Sequence, residues 1–167
     1  MIKKYFLLNA LFVLSVTSYA EPLDPVKLLS SYVGIDTVNP PGNESRAVDF
    51  YAKIFEEEGI EFSSAESAPG RGNIWARIKG GDLPALVLLQ HTDVVPATKK
   101  YWDTDPFVAE IKDGYLYGRG VIDMKGAGIS QLVSFIRLHR SGLSLNRDVV
   151  FVATADEEAG GMFGAGW

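Results

Sequence analysis

The chain contains no cysteine among its 167 residues. This absence excludes disulfide bonds, thiolate metal sites, a catalytic cysteine and a lipid anchor on cysteine. It also lacks a run rich in lysine and arginine, so a nucleic-acid interface is not expected. The remaining composition, 47% hydrophobic and 22% charged with a net charge of −5, is that of a soluble globular protein with one modest core.

The first twenty residues have the three-part pattern of a cleavable secretory signal peptide. Lys3 and Lys4 precede an apolar run from Tyr5 to Val16, and a small-residue ending predicts a cut after Ala20. The apolar run is about 12 residues long, shorter than the ~20 that a membrane-spanning helix needs. An uncleaved anchor or a buried helix is the alternative. We therefore expect residues 21–167 to form the mature chain, in the periplasm or outside the cell.

Predicted helices alternate with apolar strands along the rest of the chain. This alternation indicates an α/β fold with a largely parallel, buried sheet, and such sheets place their sites at the carboxyl ends of the strands. Apolar runs predict strands over 85–90 and 148–155, both buried on both faces. The other expected elements are helices over 25–33, 46–58 and 125–140, a strand over 73–80 and a hairpin over 107–118 around Asp113-Gly114.

The first polar cluster, His91 and Asp93, directly follows the strand ALVLLQ. At a spacing of two in extended chain, both side chains point to the same side. A histidine beside a carboxylate is typical of a metal-bound imidazole that an acid orients. A histidine satisfied by hydrogen bonds at a strand end is the alternative.

A second cluster is the stretch GRGVID, Gly118 to Asp123. It begins like a dinucleotide-binding G-x-G-x-x-G motif, but Asp123 occupies the sixth position and its charge disfavours a pyrophosphate there. The glycines allow tight backbone beside a metal-bound aspartate. A plain glycine-rich turn with Asp123 as a helix cap is the alternative.

The third cluster is an acidic triplet, Asp156-Glu157-Glu158, directly after the strand VVFVATA. Neighbouring carboxylates at a buried strand end must be neutralised by protons or cations, and no Arg or Lys lies nearby in the sequence. A divalent metal removes the repulsion while one acid stays free to accept a proton. A solvated acidic loop at a helix start is the alternative.

These segments, in this order and spacing, resemble the aminoacylase, carboxypeptidase and deacetylase family of dinuclear zinc hydrolases. That family includes acetylornithine deacetylase and succinyl-diaminopimelate desuccinylase. The resemblance extends over essentially all of the chain after Ala20 and implies a three-layer α/β/α zinc-exopeptidase-like catalytic domain. The matching segments are HTDVVP (91–96), WDTDPF (102–107), DGYLYGRGVIDMKG (113–126) and DEEAGG (156–161).

The resemblance also implies a role for each site residue. His91 would ligate one metal, Asp123 would bridge two metals, and Glu158 would ligate the other. Asp93 would brace the His91 imidazole, and Glu157 would be the general base. The two ions would be zinc, with cobalt or manganese as alternatives. Asp156 has no ligand role in this pattern, so we expect it to support the ligands from behind or to cap a helix.

Three features of the family have no counterpart in this sequence: a further acidic ligand, a late histidine, and a lid domain that mediates dimerisation. The second histidine, His139, matches no ligand position and is expected at a helix surface. We therefore expect residues 21–167 to be the N-terminal part of a catalytic domain, weakly active or inactive alone. The substrates would be peptides or N-acyl amino acids, and relatives would be homodimers. The alternatives are a deacetylase or desuccinylase of an amino-acid intermediate, and a metal-poor binding or structural remnant.

Overall fold

The computed structural model describes residues 22–167, so the predicted signal peptide lies outside the described residues. These residues form three α-helices and six β-strands. The helices are α1 (Pro25–Val33), α2 (Ser45–Glu57) and α3 (Gly126–Ser141). The strands are β1 (Phe62–Glu66), β2 (Gly72–Ile78), β3 (Leu83–His91), β4 (Glu110–Lys112), β5 (Tyr115–Tyr117) and β6 (Arg147–Thr154).

Local signals set several of these boundaries. Asp24 caps α1 by accepting hydrogen bonds from the backbone N–H groups of Val26 and Lys27, directly before Pro25 in the first turn. Gly142 ends α3 in a left-handed conformation (φ 60°). The β4–β5 hairpin turns at Asp113 and Gly114, both with positive φ, as the Asp-Gly pair predicted.

The main sheet has four strands in the order β1-β2-β6-β3. The α/β class is confirmed, but the sheet is mixed rather than largely parallel. Strand β3 runs parallel to β6, whereas the β1–β2 and β2–β6 pairs are antiparallel. Strand β1 was not predicted from the sequence, because FSSAE shows no sustained apolar pattern.

The core lies between one face of the sheet and the helices. Phe151 on β6 contacts Tyr51 and Phe55 on α2 and Phe135 on α3, with ring centroids 5.3 to 5.7 Å apart. Helices α2 and α3 therefore pack on the same face, and the opposite face, with Trp75, is partly exposed. The described residues thus form two layers of the expected three.

The prediction that the strand around 85–90 is buried on both faces is wrong. Leu86, Val87 and Leu89 on β3 are each about half exposed. The reason is topological, because β3 is an edge strand that pairs with β6 alone among the described strands. Strand β6 lies inside the sheet and buries Val149, Phe151 and Ala153, but Val150 and Val152 on its other face are only half-buried, so the prediction of burial on both faces fails there as well. None of the helices in the described part of the chain is both long and apolar enough to cross a membrane.

Candidate metal centre

The parallel pairing of β3 and β6 brings two of the predicted polar clusters together at the carboxyl ends of these strands. The register pairs His91 with Thr154, and the Thr92 N–H donates to the Thr154 carbonyl at 2.9 Å. Both strands therefore end at the same level. The residues that follow, Asp93 on one side and Glu157 and Glu158 on the other, emerge side by side.

His91 is surrounded by carboxylates and is 6% exposed. Its Nε2 lies 3.0 Å from Asp123 Oδ1 and 3.7 Å from Glu157 Oε2, whereas its Nδ1 faces the carbonyl and carboxylate of Asp93 at 3.1 and 3.3 Å. Burial alone would lower the pKa of His91. The hydrogen bonds and charges of these three acids outweigh burial and raise that pKa to about 9. The cluster therefore attracts a cation, either a proton on the imidazole or a metal ion.

Asp93 connects the two strand ends. Its side chain is fully buried, and its carboxylate accepts hydrogen bonds from the backbone N–H groups of Glu157 and Glu158 at 3.1 and 3.0 Å and from Asn39 Nδ2 at 2.7 Å. Burial would raise the pKa of Asp93, but His91, Asn39 and the Glu158 N–H stabilise the ionised form and hold that pKa below its usual range. Asp93 thus orients the acidic turn as well as the imidazole.

Asp123 reaches the site from an irregular turn, Val121–Lys125, that leads into α3. Gly120 precedes it with φ 85°, and a Cβ there would lie 2.7 Å from Val94, so the tight glycine backbone expected at this point is present. Lys125 anchors the other end of the turn, because its buried Nζ donates to the carbonyls of Tyr32 and Ile35 at 3.0 and 2.7 Å. The Asp123 side chain itself is 75% exposed.

Glu157 and Glu158 begin a short 3₁₀ turn, Glu157–Ala159. The Glu157 side chain is 61% exposed, and Glu158 is half-buried. Burial raises the pKa of Glu158, and the neighbouring charges of Asp123, Asp93 and Glu157 add to that rise against the opposing effect of His91. A cation placed between these acids would reverse this rise.

Three of the predicted residues come close enough to share one ion. One ligand atom from each of His91, Asp123 and Glu158 lies within 4.8 Å of the other two. We call these three residues the metal-ligand group. One imidazole nitrogen and two carboxylate oxygens are donors that suit zinc and related divalent ions. The structure brings together all three residues for which the family resemblance implied a ligand role.

Asp156 does not belong to this group, and its charge is neutralised by an arginine. Its buried carboxylate forms an ion pair with Arg71 and accepts hydrogen bonds from Asn39 Nδ2 at 3.2 Å and from the Phe163 N–H at 3.1 Å. The sequence argument that no basic residue lies near the triplet therefore holds along the chain but fails in space, because Arg71 lies 85 positions away. Asp156 occupies the cap position of the 3₁₀ turn without a side-chain cap hydrogen bond.

The residues around Asp156 form what we call the buried network: Asn39, Glu44, Arg71, Asp93 and Asp156. Sequence reasoning missed Asn39, Glu44 and Arg71. The stretches VNPPGNE and RGN carry them, and polar residues flanked by Pro and Gly were the only available signal. His139 lies in the last turn of α3, partly exposed and outside both groups, as expected of a helix-end residue.

Comparison with known proteins shows what this arrangement belongs to. The sequence model of peptidase family M20/M25/M40 matches residues 87–167, which contain all the predicted ligands. Succinyl-diaminopimelate desuccinylase of Parvibaculum lavamentivorans is 36% identical over 148 residues, covering 85% of this chain and 36% of that protein. Human aminoacylase-1 is 35% identical over 142 residues, covering 83% of this chain and 35% of that protein.

Solved structures agree with these sequence matches. Human carnosine dipeptidase 1 is similar with a TM-score of 0.60 and 28% identity, covering 83% of this chain and 33% of that one. A dipeptidase of Saccharomyces cerevisiae shares the fold with a TM-score of 0.68 at 24% identity, over 83% of this chain and 33% of that one. Residues 87–167 match the M20/M25/M40 peptidase family, and the chain is similar to a desuccinylase and an aminoacylase over 83–85% of its length. It spans about a third of the length of the curated relatives it matches.

Proposed function

We propose that this chain is part of an exported, metal-dependent hydrolase that cleaves an amide bond in peptides or N-acyl amino acids. The observation that carries the proposal is the convergence of His91, Asp123 and Glu158 within 4.8 Å of one another at the carboxyl end of β3 and β6. The relatives include a desuccinylase, an aminoacylase and a dipeptidase, whose names denote removal of an acyl group or cleavage of a dipeptide.

The donor set fits a zinc ion. Ligand atoms about 2 Å from a shared tetrahedral ion stand roughly 3.3 Å from one another. His91 Nε2 and Asp123 Oδ1, 3.0 Å apart, are already near that separation. The raised pKa of Glu158 reflects burial together with crowding by Asp123, and a bound cation would offset both. Cobalt and manganese suit the same donors.

Each residue has a distinct task in the proposed reaction. His91, Asp123 and Glu158 would hold the metal, which when bound polarises a carbonyl and makes water acidic enough to attack it. Asp93 holds the His91 imidazole through Nδ1, so that Nε2 faces the acids. Glu157 is the proposed general base, because its exposed carboxylate lies beside the metal-ligand group and is free to accept a proton from water. It would then deliver that proton to the leaving amine nitrogen.

We expect this chain to bind fewer than two metal ions. A dinuclear site would share Asp123 between an ion on His91 and an ion on Glu158, which gives each ion two ligands from the described residues. Catalytic zinc ordinarily has three protein ligands and a water. Two sites with two ligands each would bind weakly, so we also expect low turnover from the 167-residue chain by itself.

Export of this hydrolase is proposed from its first twenty residues. Lys3 and Lys4, the apolar run and the small residues before Ala20 support secretion to the periplasm or beyond. Hydrolysis of external peptides suits an exported enzyme better than a biosynthetic deacylation does. The near-equal identities to the desuccinylase and the aminoacylase, 36% and 35%, keep desuccinylation as the second candidate.

The test is Glu157→Gln, assayed with zinc or cobalt on dipeptides, N-acetyl amino acids and N-succinyl-diaminopimelate. Loss of a general base should lower kcat about 10²- to 10⁴-fold. Metal content should not change, because Glu157 is not one of the proposed ligands. Glu110→Gln, in the exposed strand β4, is the matched control. Turnover that survives Glu157→Gln would remove Glu157 from this role, and a chain without metal affinity would contradict the hydrolase proposal.

A further inference from the structure

The loop between α1 and α2 has a structural purpose that the proposed chemistry leaves unexplained. This loop, VNPPGNE (38–44), surrounds the guanidinium group of Arg71, which is 7% exposed. Arg71 Nη1 donates to the Pro41 carbonyl and, at 3.3 Å, to Asn39 Oδ1. Its Nη2 forms ion pairs with Asp156 and, at 3.3 Å, with Glu44. A single arginine thus connects the loop to the acidic triplet.

The contact with Arg71 decides which way the Asn39 amide points. A guanidinium group only donates hydrogen bonds, so the atom of Asn39 that faces it must be the acceptor Oδ1. The donor Nδ2 is then left to face Asp93 at 2.7 Å and Asp156 at 3.2 Å, and a carboxylate accepts from it in both cases. If the amide turned over, its oxygen would face two carboxylates in a buried site, which is strongly unfavourable.

Arg71 also acts on the acidic turn from its other side. Asp156, its ion-pair partner, accepts from the Phe163 N–H at 3.1 Å, and the guanidinium group lies 5.2 Å from the Phe163 ring. The segment between these two anchors contains Glu157 and Glu158. The N–H groups of Glu157 and Glu158 donate to the Asp93 carboxylate, which also accepts from Asn39 Nδ2. Both supports of the turn, Asp93 and Asp156, therefore depend on Arg71.

We infer that Arg71, acting through Asn39 and Asp156, is a positioning residue that fixes the Glu157–Glu158 turn beside His91. The consequence for metal binding rests on the proposed function, but the positioning of the turn does not, since every contact in the argument lies within the protein. The opposing possibility is that Arg71 neutralises buried acids and stabilises the whole fold without a specific effect on the turn.

Residue-resolved amide hydrogen exchange in the metal-free protein separates these two possibilities. In Arg71→Met, the Glu157 and Glu158 amides should exchange at least about tenfold faster, because their acceptor Asp93 loses its orientation. The amides of Leu132 and Val133, buried in the core on α3, should change much less. Arg77→Met is the matched control, because it removes an exposed arginine on β2 that pairs with Asp148 on β6. It should leave the exchange rates of the Glu157 and Glu158 amides unchanged.

Two further variants keep the test decisive if Arg71→Met does not fold. Arg71→Lys keeps the charge, but a lysine ammonium cannot reach the Asn39 side and the Asp156 side together as the planar fork does. Asn39→Asp keeps the acceptor for Arg71 and places a carboxylate against Asp93. Both should accelerate exchange at Glu157 and Glu158. Unchanged rates at these two amides, or rates that rise only in parallel with those of α3, would overturn the inference.

Cobalt titration then tests the consequence at the metal-ligand group. Replacing a residue that supports metal ligands ordinarily weakens binding by about 10- to 100-fold, so Arg71→Lys should weaken Co²⁺ binding by about tenfold. The visible spectrum of bound Co²⁺ should also change, because Glu158 would be displaced. If the unsubstituted chain binds no Co²⁺, the proposed function is contradicted, while the exchange rates still decide whether Arg71 positions the turn.

Discussion

The buried network and the metal-ligand group lie side by side, yet their carboxylates are satisfied in opposite ways. In the buried network, Asp93 and Asp156 each accept several hydrogen bonds or ion pairs from protein groups. In the metal-ligand group, Asp123 is 75% exposed, and His91 is the partner the structure gives it. Asp93 and Asp156, which are withdrawn from water, thus have several protein partners each, whereas the exposed Asp123 has His91 and water.

This difference separates the carboxylates that support the structure from those that are available for the proposed chemistry. A buried carboxylate without donors would cost several kcal/mol, so the network must be complete before any ion arrives. The exposed acids are stable in water without donors, and they remain available for a metal, a proton or a substrate. The comparison predicts that substitutions in the buried network change stability first, and that substitution of the exposed ligand Asp123 changes metal binding alone.

The largest expected effect is that of Asp93→Ala. This substitution leaves the N–H groups of Glu157 and Glu158 and the Asn39 amide without their acceptor in a buried position, and should reduce the free energy of unfolding by about 3–5 kcal/mol. Urea denaturation measures it. Asp82→Ala, at an exposed position, is the control and should change stability by less than about 0.5 kcal/mol. Similar stabilities for the two variants would show that the network does not support the fold.

The second effect in size is that of Gly42→Ala. Gly42 has φ 107°, and a Cβ there would collide with the Arg71 guanidinium group. We expect a loss of about 2–4 kcal/mol from backbone strain and displacement of Arg71. Gly59→Ala is the matched control, because Gly59 also has positive φ, 64°, but open space around its Cβ. Equal losses in thermal or urea denaturation would mean that strain alone matters and that the loop does not hold Arg71.

How far the sequence predicts this site depends on whether the relevant residues are near one another along the chain. The clusters that contain His91, Asp123 and Glu158 were singled out because each follows a recognisable strand or glycine turn, and the family resemblance assigned these three residues their ligand roles. Asn39 and Arg71 were missed because Asp93 and Asp156, the acids that they contact, lie 54 to 117 positions away, and no local pattern encodes such pairs. The sequence argument also found no basic residue near the triplet, whereas in the structure Arg71 forms an ion pair with Asp156.

The two apolar strands show that burial also depends on neighbours that are distant along the chain. ALVLLQ and VVFVATA have nearly the same pattern, and both were predicted to be buried on both faces. Strand β6 lies between two neighbours and is fully buried on one face and half-buried on the other, whereas β3 forms the edge and leaves Leu86, Val87 and Leu89 half exposed. An apolar run indicates that a strand suits a buried position. It does not indicate which other strands lie beside it in the sheet.

Metal addition should have a smaller effect than loss of Asp93, and should act through the other group. At a zinc concentration of about 100 Kd, binding should stabilise the chain by about 2.7 kcal/mol, and a chelator should reverse this. Asp123→Asn should remove most of that stabilisation while leaving the metal-free stability within about 0.5 kcal/mol, because the side chain is exposed. Thermal unfolding with zinc and with chelator measures both. A large loss of metal-free stability in Asp123→Asn would show that the metal-ligand group also supports the fold, and would contradict the distinction between the two groups.

The smallest expected effect concerns Glu44, the one network acid whose burial outweighs its donors. Burial raises the pKa of Glu44 against the lowering effects of backbone N–H groups and Arg71, and Asp93 adds to the rise. One of its oxygens, Oε1, accepts a hydrogen bond from the Asp156 N–H at 3.2 Å. The other, Oε2, is buried and has no hydrogen-bond donor among residues 22–167. Ionised Glu44 therefore costs the folded state some stability at neutral pH.

Glu44→Gln turns this imbalance into a measurable pH dependence. A carboxyl whose pKa is raised on folding contributes stability that is fully present below its unfolded pKa and is lost as the pH rises through its folded pKa. The glutamine does not titrate, and it keeps a carbonyl oxygen for the Asp156 N–H. The wild-type chain should therefore gain stability relative to Glu44→Gln as the pH falls from 7 to 5, in urea denaturation of the metal-free protein. A difference that stays constant, or grows in the opposite direction, would show that Glu44 is ionised at no cost and that Arg71 balances both of its carboxylate partners.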